Sequence, residues 1–190
     1  MIPRFLRDAL DVSLLRSKTL PEYSYPVWLP ALWLTLIGVA GAWANDDFLA
    51  AWPIRLGFFI VVNWLEAILT ALWLMLWFKV IDKKPVEGSL FPLVVLSSTP
   101  QLLVPVFAAM PDPVGSLGLM AVGIYGVVVM IRAVMGATGQ KLTSVVIAVL
   151  SFIPVALLLV GGAMTLANEF GWIATDTTTS PSPPAEETDL

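Results

Sequence analysis

Residues 56–78 read LGFFIVVNWLEAILTALWLMLWF, an apolar run with one ionisable group, Glu66, close to its middle. As a helix this run rises about 35 Å at ~1.5 Å per residue, enough to cross a hydrocarbon core of about 30 Å. Glu66 then lies near the bilayer midplane, where a charge costs at least ~2.5–3.5 kcal/mol. Asn63, Glu66 and Thr70 stand at i, i+3 and i+7 and form one polar stripe on an apolar rod. A stripe of that kind is unstable against lipid, so other helices must cover it. The fold class that follows is all-α: a polytopic membrane protein built as a five-helix transmembrane bundle.

Composition agrees. Of 190 residues, 58% are hydrophobic and 13% charged, and the mean hydropathy is +0.87. Soluble domains carry about 25% charged residues, so this chain cannot build a water-facing surface of ordinary size. Its net charge is −4, and no basic patch of the nucleic-acid-binding kind is present. The chain has no cysteine and no histidine. That removes disulfides, thiolate chemistry, imidazole bases and the usual zinc and haem ligands. Glu66 has no second acid at its depth, so a carboxylate pair for catalysis or metal binding is not expected there. Neither enzymatic activity nor a cofactor is anticipated.

Either side of the central run, the chain divides readily. Residues 1–26 form a basic arm in which Arg4, Arg7, Arg16 and Lys18 interleave with apolar residues. Leu6, Leu10 and Leu14 share a face, which suits a short amphipathic helix lying on the membrane. No apolar segment follows the basic residues closely enough for a secretory signal peptide. Residues 27–167 hold the membrane domain, with spans expected at 27–45, 53–78, 90–110, 114–131 and 142–167. The third carries Pro92, Pro100 and Pro105, and the fifth carries Pro154 near its middle. Gly115, Gly118 and Gly126 lie near one face of the fourth and read as a packing groove. Residues 173–190 are rich in threonine, serine, proline and acid, a composition expected to be disordered.

Charge supplies the topology. Every basic residue except Arg55 falls on the side of the N-terminus, whereas Asp46, Asp47, Asp112, Glu169 and the acidic tail fall on the other. The positive-inside rule makes the basic side cytoplasmic. An odd number of spans then puts the C-terminus outside. Trp28, Trp43, Trp52, Trp73, Trp77 and Trp172 fall near the expected interfaces and read as aromatic belts, with Trp64 deeper.

Counting from the middle of each span puts Glu66, Pro100, Gln101, Gly123, Tyr125 and Pro154 in one layer. Pro100 cannot donate to the carbonyl of Leu96, nor Pro105 to that of Gln101. Ser97, Ser98 and Thr99 stand beside the break and can satisfy the freed backbone groups. The candidate polar site is therefore Asn63, Glu66, Thr70, Ser97, Ser98, Pro100, Gln101 and Tyr125. As a hydrogen-bonded core, it would have a protonated Glu66 reaching across to residues 97–101. As a solute or proton site, it would use the same carboxyl beside a broken helix.

The sequences Glu87–Gly88–Ser89, Leu96–Ser97–Ser98–Thr99–Pro100, Ile124–Tyr125 and Gly136–Ala137–Thr138–Gly139–Gln140–Lys141 resemble bacterial members of the Yip-domain family, named after Ypt/Rab-interacting proteins. The resemblance implies a five-span integral membrane protein of the bacterial inner membrane with a cytoplasmic N-terminus. It implies no functional residue. The Asp-Leu-Tyr-Gly-Pro motif of eukaryotic members is absent, with Glu22–Tyr23–Ser24–Tyr25–Pro26 in its place, so the resemblance does not extend to a Rab-type GTPase partner. The expected function is non-enzymatic: a membrane-organising protein that binds the bilayer and a membrane-protein partner or a second copy of itself. The alternative is a small transporter or proton-linked permease that uses Glu66 and the broken third helix.

Overall fold

A computed structural model of the chain describes residues 1–45 and 47–173. Among them the secondary structure is helical, with one isolated bridge between Phe48 and Ile173. The expected acidic tail lies outside the described residues.

The helix over the central run, α3, spans Trp52–Val80. Pro53 stands in its first turn, where a missing N–H costs no intrahelical bond, and Lys79 in its last, where a cation suits the helix dipole. Against α3 runs α2, Trp28–Trp43, closed by the Asn45 amide donating to the Gly41 carbonyl at 2.8 Å. Gly38 makes the close approach possible: a Cβ there would stand 2.7 Å from the Cα of Ile60. The third apolar segment is broken as its prolines require. It runs as α4, Phe91–Ser97, a 3-10 segment Thr99–Leu103, and α5, Val104–Ala108. A turn then leads into α6, Val114–Thr138, which ends on the left-handed Gly139. The last helix, α7, runs Leu142–Glu169 and stays continuous through Pro154. One proline removes one bond from a long helix, whereas Pro100 and Pro105 remove two in succession.

Four stretches are long and apolar enough to cross a membrane: Trp52–Val80, Phe91–Ala108, Val114–Thr138 and Leu142–Glu169. The expected first span falls short. At 16 residues, α2 rises about 24 Å. The N-terminal arm packs on α4, the 3-10 segment and α6, and its Phe5 meets Trp33 of α2. Helix α1, Ile2–Ser13, buries Phe5, Asp8, Ala9 and Val12. The following 3-10 turn, Leu20–Tyr23, buries Leu20 and Tyr23. Those residues are therefore part of the core, and Ile2, Leu6, Leu10 and Leu14 on the opposite face of α1 are exposed.

The ends of the bundle are distinct. At the basic end, the Gln140 amide donates to the Lys84 carbonyl at 3.0 Å, and the Ser144 hydroxyl donates to the Asp82 carboxylate. At the far end, the Leu49 N–H donates to the Trp172 carbonyl at 2.7 Å, and Phe48 packs among Phe58, Phe59 and Trp172. The densest packing lies towards the basic end, where Leu74, Phe78, Leu90, Leu93, Val134 and Val145 are fully buried. Fewer large side chains are buried beyond it, and Leu157 and Leu158 of α7 face outwards.

The expected glycine groove on α6 is only partly used. A Cβ at Gly118 would stand 2.0 Å from the Phe107 ring, and one at Gly115 2.6 Å from the Met110 carbonyl oxygen. At Gly126 nothing lies within 4 Å. Residues 115 and 118 share one contact with the end of the third segment; at residue 126, further along the helix, that partner has already passed. The tryptophans also divide. Trp28, Trp43 and Trp52 are exposed as belts require, but Trp73 donates its indole N–H to the Ala148 carbonyl at 3.1 Å and holds α3 to α7.

Two substitutions separate these environments. Gly38→Ala should lower the thermal unfolding midpoint in detergent by the equivalent of about 1–3 kcal/mol, because the methyl meets backbone that cannot step aside. Gly126→Ala should leave the midpoint unchanged or raise it. Equal losses in both would refute the packing described.

Candidate intramembrane polar site

The polar stripe of α3 does not act as one unit. Thr70 is buried, and its hydroxyl donates to the backbone carbonyl of Glu66 at 2.7 Å. That bond satisfies the hydroxyl within its own helix and keeps it out of any cavity. Asn63 and Glu66 instead line a cavity of about 180 Å³ walled by Phe58, Phe59, Val160 and Met164. Asn63 also lines a second cavity, of about 240 Å³, together with Gln101, Val122 and Gly123. Asn63 is thus the residue common to both. Among the described residues, the side chains of Asn63, Glu66 and Gln101 make no hydrogen bond.

The hydroxyls of the break are used locally. Ser97 and Ser98 donate to the Val94 carbonyl at 2.7 and 3.1 Å. Thr99 donates to the Leu96 carbonyl at 2.6 Å, the acceptor that Pro100 cannot serve. The Thr99 oxygen in turn accepts the Trp33 indole N–H at 3.1 Å. Pro100 is buried beside them. Glu66 therefore does not reach across to residues 97–101, as the single-layer reading expects. The hydroxyls there are consumed by their own backbone, and the Glu66 carboxyl opens towards α7. Tyr125 is engaged elsewhere, its hydroxyl donating to the Ser13 carbonyl at the end of α1. Of the eight residues expected to form one site, Asn63 shares one cavity with Glu66 and another with Gln101.

A second polar centre is one that the sequence reading does not anticipate. Asp8 on α1 is wholly buried, and Lys18 donates to its carboxylate at 2.5 Å. The Tyr25 hydroxyl donates to the other carboxylate oxygen, and the Arg4 guanidinium lies 3.8 Å away. Phe5, one turn before, packs edge-on against Tyr25 and Trp33. The hydrogen bond to Asp8 holds the Lys18 ammonium above its ordinary range. Burial and the bond to Asp8 push the Tyr25 phenol well above its own. The signal for this centre is the set Phe5, Asp8, Ala9 and Val12, at i, i+3, i+4 and i+7. It is hidden because Leu6, Leu10 and Leu14 make an equally regular, more apolar stripe.

Among the described residues, no group of three or more acidic, histidine or cysteine side chains is placed to hold a metal ion. Comparison with family models, curated proteins and solved structures finds no match to this chain.

Because no group among the described residues bonds the Glu66 carboxyl, Glu66→Gln and Glu66→Leu should both unfold within about 1 kcal/mol of wild type. A much larger loss for the leucine variant alone would reveal a partner that the carboxyl satisfies. For the N-terminal centre, Lys18 has its folded pKa raised above 10.5. Its contribution is therefore fully present below that value and lost as pH rises through the folded pKa. The gap in unfolding midpoint between wild type and Lys18→Gln should be constant up to about pH 10 and narrow above it. A gap that widens with alkali would contradict the Lys18–Asp8 pairing.

Proposed function

We propose that this chain is a non-enzymatic integral membrane protein that binds a partner helix, or a second copy of itself, in the open half of its bundle. In this reading it is a five-span protein of the bacterial inner membrane, of the Yip-domain type that its sequence resembles. The N-terminus is cytoplasmic and the C-terminus outside. The antiparallel packing of α2 on α3 and the separation of the basic end from the far end support that topology.

The observation that carries the proposal is that Asn63 and Glu66, without a side-chain hydrogen bond among the described residues, line a gap beside α7. Polar side chains within a hydrocarbon layer are costly unless a neighbour covers them. Nearby, Gly123, Gly161 and Gly162 have nothing within 4 Å of where a side chain would begin. A helix laid there can approach closely and offer Glu66 a donor, which is how helices associate without a hydrophobic driving force.

The second reading is a small transporter or proton-linked permease. It is favoured by the meeting of two cavities at Asn63, with Glu66 on one side and Gln101 on the other. Access of water to Asn63 distinguishes the two readings. The chain has no native cysteine, so single cysteines can be placed freely. Photo-crosslinking side chains at Gly123 and Val160 should capture a discrete membrane protein in native membranes, whereas one at the outward-facing Leu158 should not. A cysteine at Asn63 should resist a water-soluble thiol reagent if a helix fills the gap. Rapid labelling at Asn63 with no crosslinked product would overturn partner binding in favour of a permeation path.

A further inference from the structure

A further cavity lies apart from the site at Glu66. It encloses about 420 Å³ at the basic end of the bundle, between the 3-10 turn Leu20–Tyr23 and the loop that enters α4. Its walls include Tyr23, Tyr25, Phe91 and Pro30, and its polar rim is Ser24, Glu87 and Ser89. Glu87 is the one charged side chain among the lining residues. It is exposed, and among the described residues it takes part in no ion pair or hydrogen bond.

The loop that carries Glu87 is held in place. Gly88 has a φ of 109°, a conformation that a side chain resists, and it packs towards Leu20 of the facing turn. The Ser89 hydroxyl oxygen accepts the Phe91 N–H at 3.3 Å, which fixes the entry into α4. The tyrosine hydroxyls are already engaged: Tyr25 donates to Asp8, and Tyr23 accepts the Lys18 N–H at 2.9 Å. The Tyr25 ring already carries the Arg4 guanidinium 5.9 Å from its centroid, and Tyr23 is buried, so what the cavity offers a ligand is the Phe91 ring, serine hydroxyls and the Glu87 carboxylate. A carboxylate beside an aromatic ring favours an organic cation. Val27 lines the cavity mouth and is 78% exposed, next to the exposed Trp28. Exposed tryptophan at the end of an apolar helix belongs at headgroup level.

We infer that this cavity binds the ammonium group of an amine-headed lipid, with Glu87 as its counter-charge and the acyl chains leaving past Val27 and Trp28. The site is independent of the proposed partner cleft.

The test uses the full chain, purified in detergent and stripped of lipid. Short-chain phosphatidylethanolamine and phosphatidylglycerol are titrated, with bound lipid counted by native mass spectrometry. Wild type should prefer the ethanolamine lipid about fivefold, equivalent to about 1 kcal/mol. Glu87→Gln should lose the preference, Glu87→Lys should reverse it, and Glu169→Gln, at the far end, should keep it. The unliganded unfolding midpoint checks that each variant is folded. An equal ratio in wild type and Glu87→Gln overturns the site. Free ethanolamine is the remaining arm. Competition by it at concentrations matching the lipid's would overturn the lipid as ligand and leave a soluble amine in its place.

Discussion

A polar group held away from water must find its partner inside the protein, and in a chain this apolar that rule governs every departure from plain helix. The apolar segment Phe91–Ala108 is the clearest case. Pro100 deprives the Leu96 carbonyl of its donor, and the Thr99 hydroxyl one residue earlier takes that place. Ser97 and Ser98 bond the Val94 carbonyl in the same way. The break is thereby closed by its own side chains. It asks nothing of Glu66, and that frees Glu66 for another use.

The same rule explains why the N-terminal arm is not a solvated tail. Asp8 is wholly buried, and such a carboxylate is tolerable only with a cation and donors around it. Lys18 and Tyr25 supply them from beyond the turn that follows α1. The arm doubles back on itself to build this centre. There it packs on α4, the Thr99–Leu103 segment and α6, with Phe5 edge-on against Trp33 of α2.

The bundle is consequently uneven. Towards the basic end, aromatic rings, a half-buried ion pair and fully covered leucines and valines make a dense core. Towards the far end, Glu66 and Asn63 face open space, and several glycines have no neighbour. Low local packing is where proteins move and bind, because few native contacts must be given up. The proposed partner cleft lies in that half, and the proposed lipid-headgroup cavity lies at the opposite end, where a fixed loop presents Glu87.

The all-helical character of the chain was legible from residues 56–78, because length, apolarity and backbone satisfaction in lipid leave few alternatives. The break at Pro100 was equally legible, since proline lacks the donor whatever surrounds it. The pairing of polar groups was not. Asn63, Glu66 and Thr70 share a face by helical spacing, yet Thr70 turns to the Glu66 carbonyl, while Asn63 and Glu66 face cavities. Spacing along one helix says which residues share a face, but not which neighbour stands opposite. Likewise, two stripes on α1 were equally periodic. The choice between Phe5–Asp8–Val12 and Leu6–Leu10–Leu14 as the buried one depended on Lys18, Tyr25 and Trp33, which only the folded chain brings to it. Local chemistry determined the helices and their faults; the partners of each buried charge were decided by tertiary packing, because a partner is a matter of distance in space rather than along the chain.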